Sequence, residues 1–265
     1  MVPPDIDQKR YKIIYLTALV LVFAGLSLAR TDLFMGAFRA TMQNLSAGGI
    51  PAIKVMAEIL LLGAIMALTF RTVPFRIDDP VGDGVSMAVI SCYAYLAEWW
   101  GTATGLWTYY TGETPPLWII PAWPMGILVI DRLAYKIGGM FGGLLEKVNG
   151  RRIYWIWAVL FYCVFTPFIM AKLGWTGSVV PLALTAVIIF AGRRDLARCS
   201  HILLVSAFCV LLADTWGTTN HCWSYHTQTA RFGMIYGITF GIFFDSFVVL
   251  AAVKTVAYIR PRLFS

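Results

Sequence analysis

Two acidic residues each stand at the head of the same aromatic-rich stretch. Residues 98–111 read EWWGTATGLWTYYT and residues 214–227 read DTWGTTNHCWSYHT, and the two agree at six positions without a gap. Each copy follows an apolar run long enough to cross a bilayer, so both acids stand at the ends of membrane segments. Because an ionisable group in hydrocarbon is costly, it usually has a function. The pattern predicts one site assembled from two related halves.

A carboxyl group beside aromatic rings suits one kind of chemistry. A buried, neutral carboxylic acid can donate a proton, and the π face of a Trp or Tyr ring stabilises positive charge. The combination favours protonation of an alkene and shielding of the carbocation. We take Glu98 as the proton donor, and Asp214 as its partner acid or the base that ends the reaction. The residues expected to line the pocket are Trp100, Trp107, Tyr109, Trp123, Trp216, Trp223 and Tyr225.

The same residues have a plainer interpretation. Trp and Tyr gather at membrane interfaces whatever the protein does, and an acid at a helix end can simply be solvated. The duplication tips the balance toward function. Asp245, in GITFGIFFDSFVVLAAV, is the most centrally placed acid. A second catalytic acid and a buried structural hydrogen bond explain it equally well.

The histidines of the second copy raise the question of a metal. His221 and His226 could bind one together with Asp214 or Glu98, since imidazole and carboxylate are common ligands. Their H-x-x-x-x-H spacing in a predicted loop is not the helical H-E-x-x-H pattern. We favour hydrogen-bonded histidines at the interface, and we expect neither a metal nor another cofactor.

The composition determines which elements must position these residues. The chain has 265 residues, of which 59% are hydrophobic and 13% are charged. A soluble domain carries about 25% charge, so we expect a single multi-pass membrane domain over 1–265. A net charge of +7 then describes membrane topology and gives no sign of nucleic-acid binding. Eight apolar runs approach the length of a span: 12–29, 51–70, 85–107, 117–135, 153–171, 177–192, 201–217 and 232–257.

Loop charges orient this arrangement. With eight spans, sixteen of the 21 Lys and Arg fall on one side and four on the other, with Lys54 inside a run. The positive-inside rule places both termini in the cytoplasm, in what we take to be the plasma membrane. The segment 30–50 is too polar to cross and is predicted to lie along the interface.

The offset between the two acids is 214 − 98 = 116 residues, close to half the chain. We therefore predict an all-α integral membrane protein with about eight transmembrane helices in two parallel four-helix repeats, at 12–135 and 153–257. Pro121 and Pro124 are expected to kink the fourth run and open space beside Glu98. Lys54 and Glu58 should pair along one helix face, and Asp131 should form an ordinary interfacial pair with Arg132.

The first copy resembles a known motif. The motif begins with an acid, continues for six residues to a glycine, and then has Trp and Tyr at alternate positions. Its members here are Glu98, Gly105, Trp107 and Tyr109. This resembles the repeated motif of small membrane-embedded lycopene cyclases. With Gly101, Thr104, Pro121 and Trp123 it is also similar to the carotenoid hydratases. The resemblance implies acid catalysis on isoprenoid double bonds without a redox change. The Pro-x-Glu-Glu of the cyclases is absent, and His221 stands in the second copy where the first has Gly105.

The predicted function is therefore acid-catalysed cyclisation or hydration of a lipid-soluble, isoprenoid or carotenoid-like substrate that enters from membrane lipid. Two other functions remain open. A proton-coupled transporter also uses repeats and intramembrane acids, but it needs polar groups along a path. A non-catalytic scaffold or assembly factor predicts no pocket between Glu98 and Asp214.

Overall fold

The computed structural model describes residues 27–72, 80–140, 150–191 and 196–263, with isolated helical positions between 13 and 25. Helices account for nearly all of these ranges, which confirms the predicted all-α class. Two three-residue strands, β1 (Trp107–Tyr109) and β2 (Trp223–Tyr225), are the exception within the described part. The helices are α1 (Thr31–Ala47), α2 (Gly49–Thr72), α3 (Pro80–Ala103), α4 (Ala122–Met140), α5 (Gly150–Phe190), α6 (Leu196–Thr219) and α7 (Gly233–Leu263).

Three of the described helices are long and apolar enough to cross a membrane. They are α5, α6 and the part of α7 that ends at Ile259. The composition and these helices together identify a membrane protein. The expectation of eight spans is wrong in number, because the described helices offer three.

Several of the eight runs differ in structure from the predicted spans. The run 117–135 begins as a series of turns, and the apolar part of its helix covers only Ala122–Asp131. The run 85–107 ends as a helix at Ala103 and continues into β1. The runs 153–171 and 177–192 both fall in α5, whose backbone leaves the helical region at Gly174 with φ 67°. Half of the run 12–29 lies outside the described residues.

The chain divides into two compact units, Met1–Asp83 and Gly84–Ser265. In the first unit, α1 buries none of its residues. In α2, Lys54 and Glu58 form the predicted pair across one turn, with 3.8 Å between Nζ and Oε1.

The second unit is organised around α6 and α7, which make its most extensive helix contact. Phenylalanines stack between α5 and α7. Phe161 and Phe165 are stacked on one side with ring centroids 4.8 Å apart, and Phe165 lies nearly parallel to Phe240 and Phe244 on the other. Rings in this arrangement contribute about 0.5–1.5 kcal/mol per pair beyond their burial. The stack holds α7 at a fixed position beside the repeated motif.

A buried row of residues runs along α3 and recurs on α6. On α3 it comprises Ile90, Ala94, Glu98 and Thr102; on α6 it comprises Ser206, Val210, Asp214 and Thr218. Each row has the spacing of four that places side chains on one helix face, and every member lies 116 residues from its counterpart. The likeness of the two copies therefore extends back along both helices, beyond the residues that are identical.

One local expectation needs correction, and a second, the pair of Asp131 with Arg132, falls on a side chain outside the described part. The prolines do not kink a helix: Pro121 precedes α4 and Pro124 lies in its first turn, where a missing N–H costs no hydrogen bond. Asp131 pairs with Arg198 of α6 at 2.8 Å, which ties α4 to α6.

Candidate functional site

The two copies of the motif meet at their strands. β1 and β2 pair antiparallel with Trp107 opposite Tyr225, Thr108 opposite Ser224 and Tyr109 opposite Trp223. Thr108 and Ser224 are equivalent positions, 116 residues apart. A pairing that sets equivalent residues opposite each other relates the two copies by a local two-fold axis. The backbone bonds beyond the strands obey the same relation, with Tyr110 N–H donating to Cys222 O at 3.1 Å and His226 N–H donating to Leu106 O at 3.0 Å.

The turn between helix and strand is the same in both copies. Leu106 N–H donates to Gly101 O at 2.9 Å, and Cys222 N–H donates to Gly217 O at 2.8 Å. One residue in each turn has a positive φ, 67° at Gly105 and 57° at His221. Glycine adopts this conformation freely, and histidine is among the few other residues found there. The glycine of the recognised motif therefore serves the backbone of this turn, and His221 fills the same role at some cost.

Two identical glycines explain why each tryptophan points back toward its acid. A Cβ on Gly101 would lie 1.9 Å from the Trp107 ring, and a Cβ on Gly217 would lie 1.9 Å from the Trp223 ring. Each indole thus covers the bare backbone of the preceding helix. This close approach brings the indole N–H of Trp107 to the carboxyl group one turn earlier on α3.

Glu98 lies at the centre of three hydrogen-bond donors. Its side chain is buried, with the residue 3% exposed. Trp107 Nε1 donates to Oε2 at 3.1 Å, and Trp123 Nε1 donates to Oε1 at 3.1 Å. The Tyr109 hydroxyl donates to both oxygens at 3.0 Å. The carboxyl group is held by β1 and by the second residue of α4, so its orientation is fixed.

Asp214 has fewer donors and a different neighbour. The Tyr225 hydroxyl donates to Oδ2 at 2.9 Å, and the Trp223 indole also hydrogen-bonds this carboxyl group. Gly241 of α7 lies directly against the site, since a Cβ there would fall 1.7 Å from Oδ2 and 2.3 Å from the Tyr225 hydroxyl. Glycine is thus required for α7 to approach the second acid.

The two tyrosines act as donors. Burial raises the pKa of Tyr109 and of Tyr225 well above the ordinary value, and the neighbouring acids raise them further. Both hydroxyl groups therefore keep their protons across the physiological range and present them to the carboxyl groups. They cannot serve as bases while they do so.

A cavity of about 220 Å³ lies between the two halves and is partly open. Glu98, Asp214 and Asp245 line it, each contributed by a different helix. Apolar residues form most of the remaining wall, among them Ile127 and Ile130 of α4, Val210 of α6 and Val249 of α7. An acid at the edge of an apolar cavity is a recurrent feature of sites for small molecules.

Most of the predicted site residues meet in this cavity, and two do not. Trp100 packs against Trp107, Phe165 and Phe244 behind the wall. Trp216 is 37% exposed on the outer surface of α6. Neither lines the cavity. The predicted residues that do line it are Glu98, Trp107, Tyr109, Trp123, Asp214, Trp223, Tyr225 and Asp245.

Sequence reasoning identified Asp245 but missed the rest of the contribution of α7. Phe240, Gly241 and Phe244 line the cavity together with Asp245. The signal was available, because glycines at 237 and 241 and the acid at 245 follow a spacing of four along one face. Gly237 meets the Tyr225 ring in the same way that Gly241 meets its hydroxyl. A helix face of two glycines and an acid in an apolar run marks a close contact with polar groups.

The histidines do not assemble a metal site. His226 Nε2 lies 3.2 Å from Phe168 O, and burial lowers the pKa of this imidazole. His221 is exposed at the turn. Among the described residues, no group of three or more His, Cys, Asp or Glu is arranged to hold an ion.

The cavity thus contains three acids whose carboxyl groups accept different numbers of hydrogen bonds, two tyrosine donors and a wall that is mainly apolar. We compared the chain with protein-family models, with curated proteins and with solved structures, and it matches none of them. Its function has to be argued from the site itself.

Proposed function

We propose that the cavity binds the reactive part of a lipid-soluble, isoprenoid-like molecule and protonates one of its carbon–carbon double bonds. The reaction is a non-redox cyclisation or hydration. One observation carries the proposal: three carboxyl groups from three helices converge in a cavity whose other walls are apolar and aromatic. Such a site favours an uncharged ligand and gives it a proton.

The size of the cavity favours part of a molecule over a whole long chain. An apolar cavity of about 150 Å³ in another protein holds benzene, and about 220 Å³ is available here. A ring-sized segment fits beside the acids, and the remainder of a longer molecule can extend through the open side. Apolar side chains such as Ile127, Ile130 and Val249 would contact the segment by packing alone.

Aromatic rings support the charge that protonation creates. Trp107, Phe240 and Phe244 line the cavity close to one another, with the Trp107 ring 6.2 Å from Phe240 and 5.6 Å from Phe244. Their π faces stabilise a carbocation more than they stabilise a neutral alkene. Loss of a proton from this cation gives the cyclised or isomerised product, and capture of water gives the alcohol. Neither route needs a cofactor.

The resemblance to lycopene cyclases and carotenoid hydratases favours the same class. Its residues Glu98, Trp107, Tyr109 and Trp123 are neighbours in the cavity. We therefore propose a carotenoid-like substrate that enters from membrane lipid. The local two-fold axis supports a duplication with parallel halves, as a part of this proposal.

Proton-coupled transport is the second candidate. It is favoured by the same three acids, which form adjacent proton-binding sites with Tyr109 and Tyr225. It is disfavoured by the wall beyond them, which is apolar along α4 and α7. A scaffold requires no cavity between Glu98 and Asp214, and both side chains line one.

Lipid extracts test the proposal directly. Cells that express the chain should accumulate a cyclised or hydrated isoprenoid, and cells that express Glu98→Gln should not, although the variant folds in detergent. Asp131→Asn is the matched control, because this acid forms a partly exposed pair with Arg198 away from the cavity. Such pairs contribute at most about 1 kcal/mol, so the control should retain turnover. Full activity in Glu98→Gln, or an extract that is the same with and without the chain, contradicts the proposal. A pH-dependent flux into proteoliposomes without product favours transport.

A further inference from the structure

We propose that the acids of the cavity have divided their roles: Asp245 carries the proton that is transferred, and Glu98 is a fixed anion that faces the resulting cation. This inference rests on the proposed function and changes the expectation drawn from the motif, in which Glu98 was the donor. The hydrogen bonds around the two groups are the reason.

Glu98 is arranged as a carboxylate. Three N–H and O–H groups, from Trp107, Trp123 and Tyr109, donate to its two oxygens. A carboxylate accepts hydrogen bonds at both oxygens and donates none, whereas a protonated acid must give one oxygen's proton an acceptor. The indoles of Trp107 and Trp123 can only donate, one to each oxygen, so among the described residues the Tyr109 hydroxyl is the one contact of Glu98 that could accept such a proton. Donors of this kind stabilise the ionised form.

Asp245 has the opposite surroundings. Among the described residues none donates a hydrogen bond to its carboxyl group, and its neighbours along the cavity face of α7 are Gly241 and Val249. The titratable groups that share the cavity with it are the acids Glu98 and Asp214, the donors Tyr109 and Tyr225, and the thiol of Cys209. No Lys, Arg or His lines the described wall.

Electrostatics then decides which acid keeps its proton. Three carboxyl groups in one low-dielectric cavity without a cation cannot all be charged, because like charges there repel strongly. The charge settles on the group with the most donors, which is Glu98. The proton remains on the group with none, which is Asp245. Asp214, with two donors, is intermediate and can relay a proton between solvent and Asp245.

The step balances as follows. The π electrons of the substrate alkene form a C–H bond with the Asp245 proton, the O–H bond of Asp245 breaks, and its electron pair remains as the Asp245 carboxylate. The substrate becomes a carbocation opposite the Glu98 carboxylate and the Trp107 ring. In cyclisation a carbon-bound proton returns to Asp245 as a new double bond forms. In hydration water adds to the cation and releases its proton to Asp245.

Infrared spectroscopy of the purified protein in detergent tests the division without requiring turnover. A protonated carboxyl group gives a C=O stretching band that a carboxylate lacks. At neutral pH this band should lose intensity in Asp245→Asn and keep it in Glu98→Gln. Asp131→Asn, the exposed control, should keep it too. In turnover assays Asp245→Asn should lose at least about 100-fold in kcat, the usual contribution of a general acid, while Asp245→Glu should recover part of it.

The outcomes separate cleanly. Loss of the band in Glu98→Gln with retention in Asp245→Asn overturns the division, as does a wild-type protein with no such band. If Asp245→Asn fails to fold, Asp245→Glu replaces it: the band must then shift in frequency, and an unchanged band overturns the assignment. An unaltered lipid extract defeats the proposed function whatever the spectra show, so the two failures are distinguishable.

Discussion

Glu98 and Asp214 occupy equivalent places in two copies of one turn, yet different helices complete their surroundings. In the first copy α4 supplies Trp123, whose indole donates to Glu98. In the second copy the position 116 residues later is Thr239, whose hydroxyl donates to the backbone of Ile235. There α7 supplies Gly241 against Asp214, and Asp245 beyond it. One helix brings a donor and the other brings an acid.

The difference begins in the connections that follow the strands. The segment between β1 and α4 covers 110–121, and the segment between β2 and α7 covers 226–232. The shorter connection shifts the start of α7 relative to α4, so residues at the same offset no longer face the site. Two copies of one turn and strand can therefore have unlike surroundings because the connections that follow them differ in length.

The largest loss of stability is expected at a contact that the two copies share, between a glycine and a tryptophan ring. Gly101→Ala and Gly217→Ala each place a methyl group inside a tryptophan ring, 1.9 Å from its nearest carbon in both cases. Because the indole has to move and lose its contact with the acid, each variant should be less stable by about 3 kcal/mol. Thermal unfolding in detergent measures this. Unequal losses, with one variant as stable as wild type, would show that the copies are not equivalent in packing.

A smaller loss of stability is expected where the copies differ, at the helix that completes the surroundings of each acid. Gly241→Ala places a methyl group 1.7 Å from Asp214 Oδ2, whereas Gly126→Ala on α4 meets nothing within 4 Å. Both residues line the cavity. We expect Gly241→Ala to lose about 2 kcal/mol, within the usual cost of overpacking, and Gly126→Ala to lose none, since alanine is the better helix former. Denaturation midpoints of the two variants decide the matter, and a stable Gly241→Ala would refute the close approach of α7.

The smallest effect concerns pH. His226 stands where the first copy has Tyr110. Burial lowers the pKa of His226 by more than the hydrogen bond with Phe168 O raises it. The unfolded chain therefore binds a proton at His226 more readily than the folded protein does. The contribution of His226 to the free energy of unfolding is present above about pH 6.5 and is lost as the pH falls through the pKa of His226 in the folded protein. Its size is modest because the ring is partly exposed.

His226→Tyr introduces the residue that the first copy has at this position, and it should remove the pH-dependent contribution of His226 to stability. Unfolding midpoints measured from about pH 7.5 to about pH 5 should fall less in this variant than in wild type. Equal slopes in the two proteins would exclude His226 as the titrating group.

Much of this site could be predicted from residue types and spacing. The duplicated motif and the acids were identified in this way, because burial of a carboxyl group beside Trp and Tyr is a local signal. Of the seven aromatic residues that were expected to line the pocket, five do. The span count failed because apolar composition does not reveal where a helix starts: residues 117–121 are apolar, yet they form turns. The spacing of Gly237, Gly241 and Asp245 marks one face of α7, but the groups that this face contacts depend on which helices become neighbours. The approach of Gly241 to Asp214 is therefore visible only in three dimensions.

The strand pair has one more consequence, which concerns origin. Thr108 and Ser224 face each other across the local axis, and their hydroxyl groups lie 3.3 Å apart. An antiparallel ladder centred on one residue and its equivalent is isologous, like the interface of a two-fold symmetric dimer. A half-length chain with a single copy of the motif has all the residues that such a ladder needs to form with a second copy of itself. In a homodimer of such chains every residue would occur twice, whereas in the present chain Asp245 stands on one side only, with Val129 at the position 116 residues earlier.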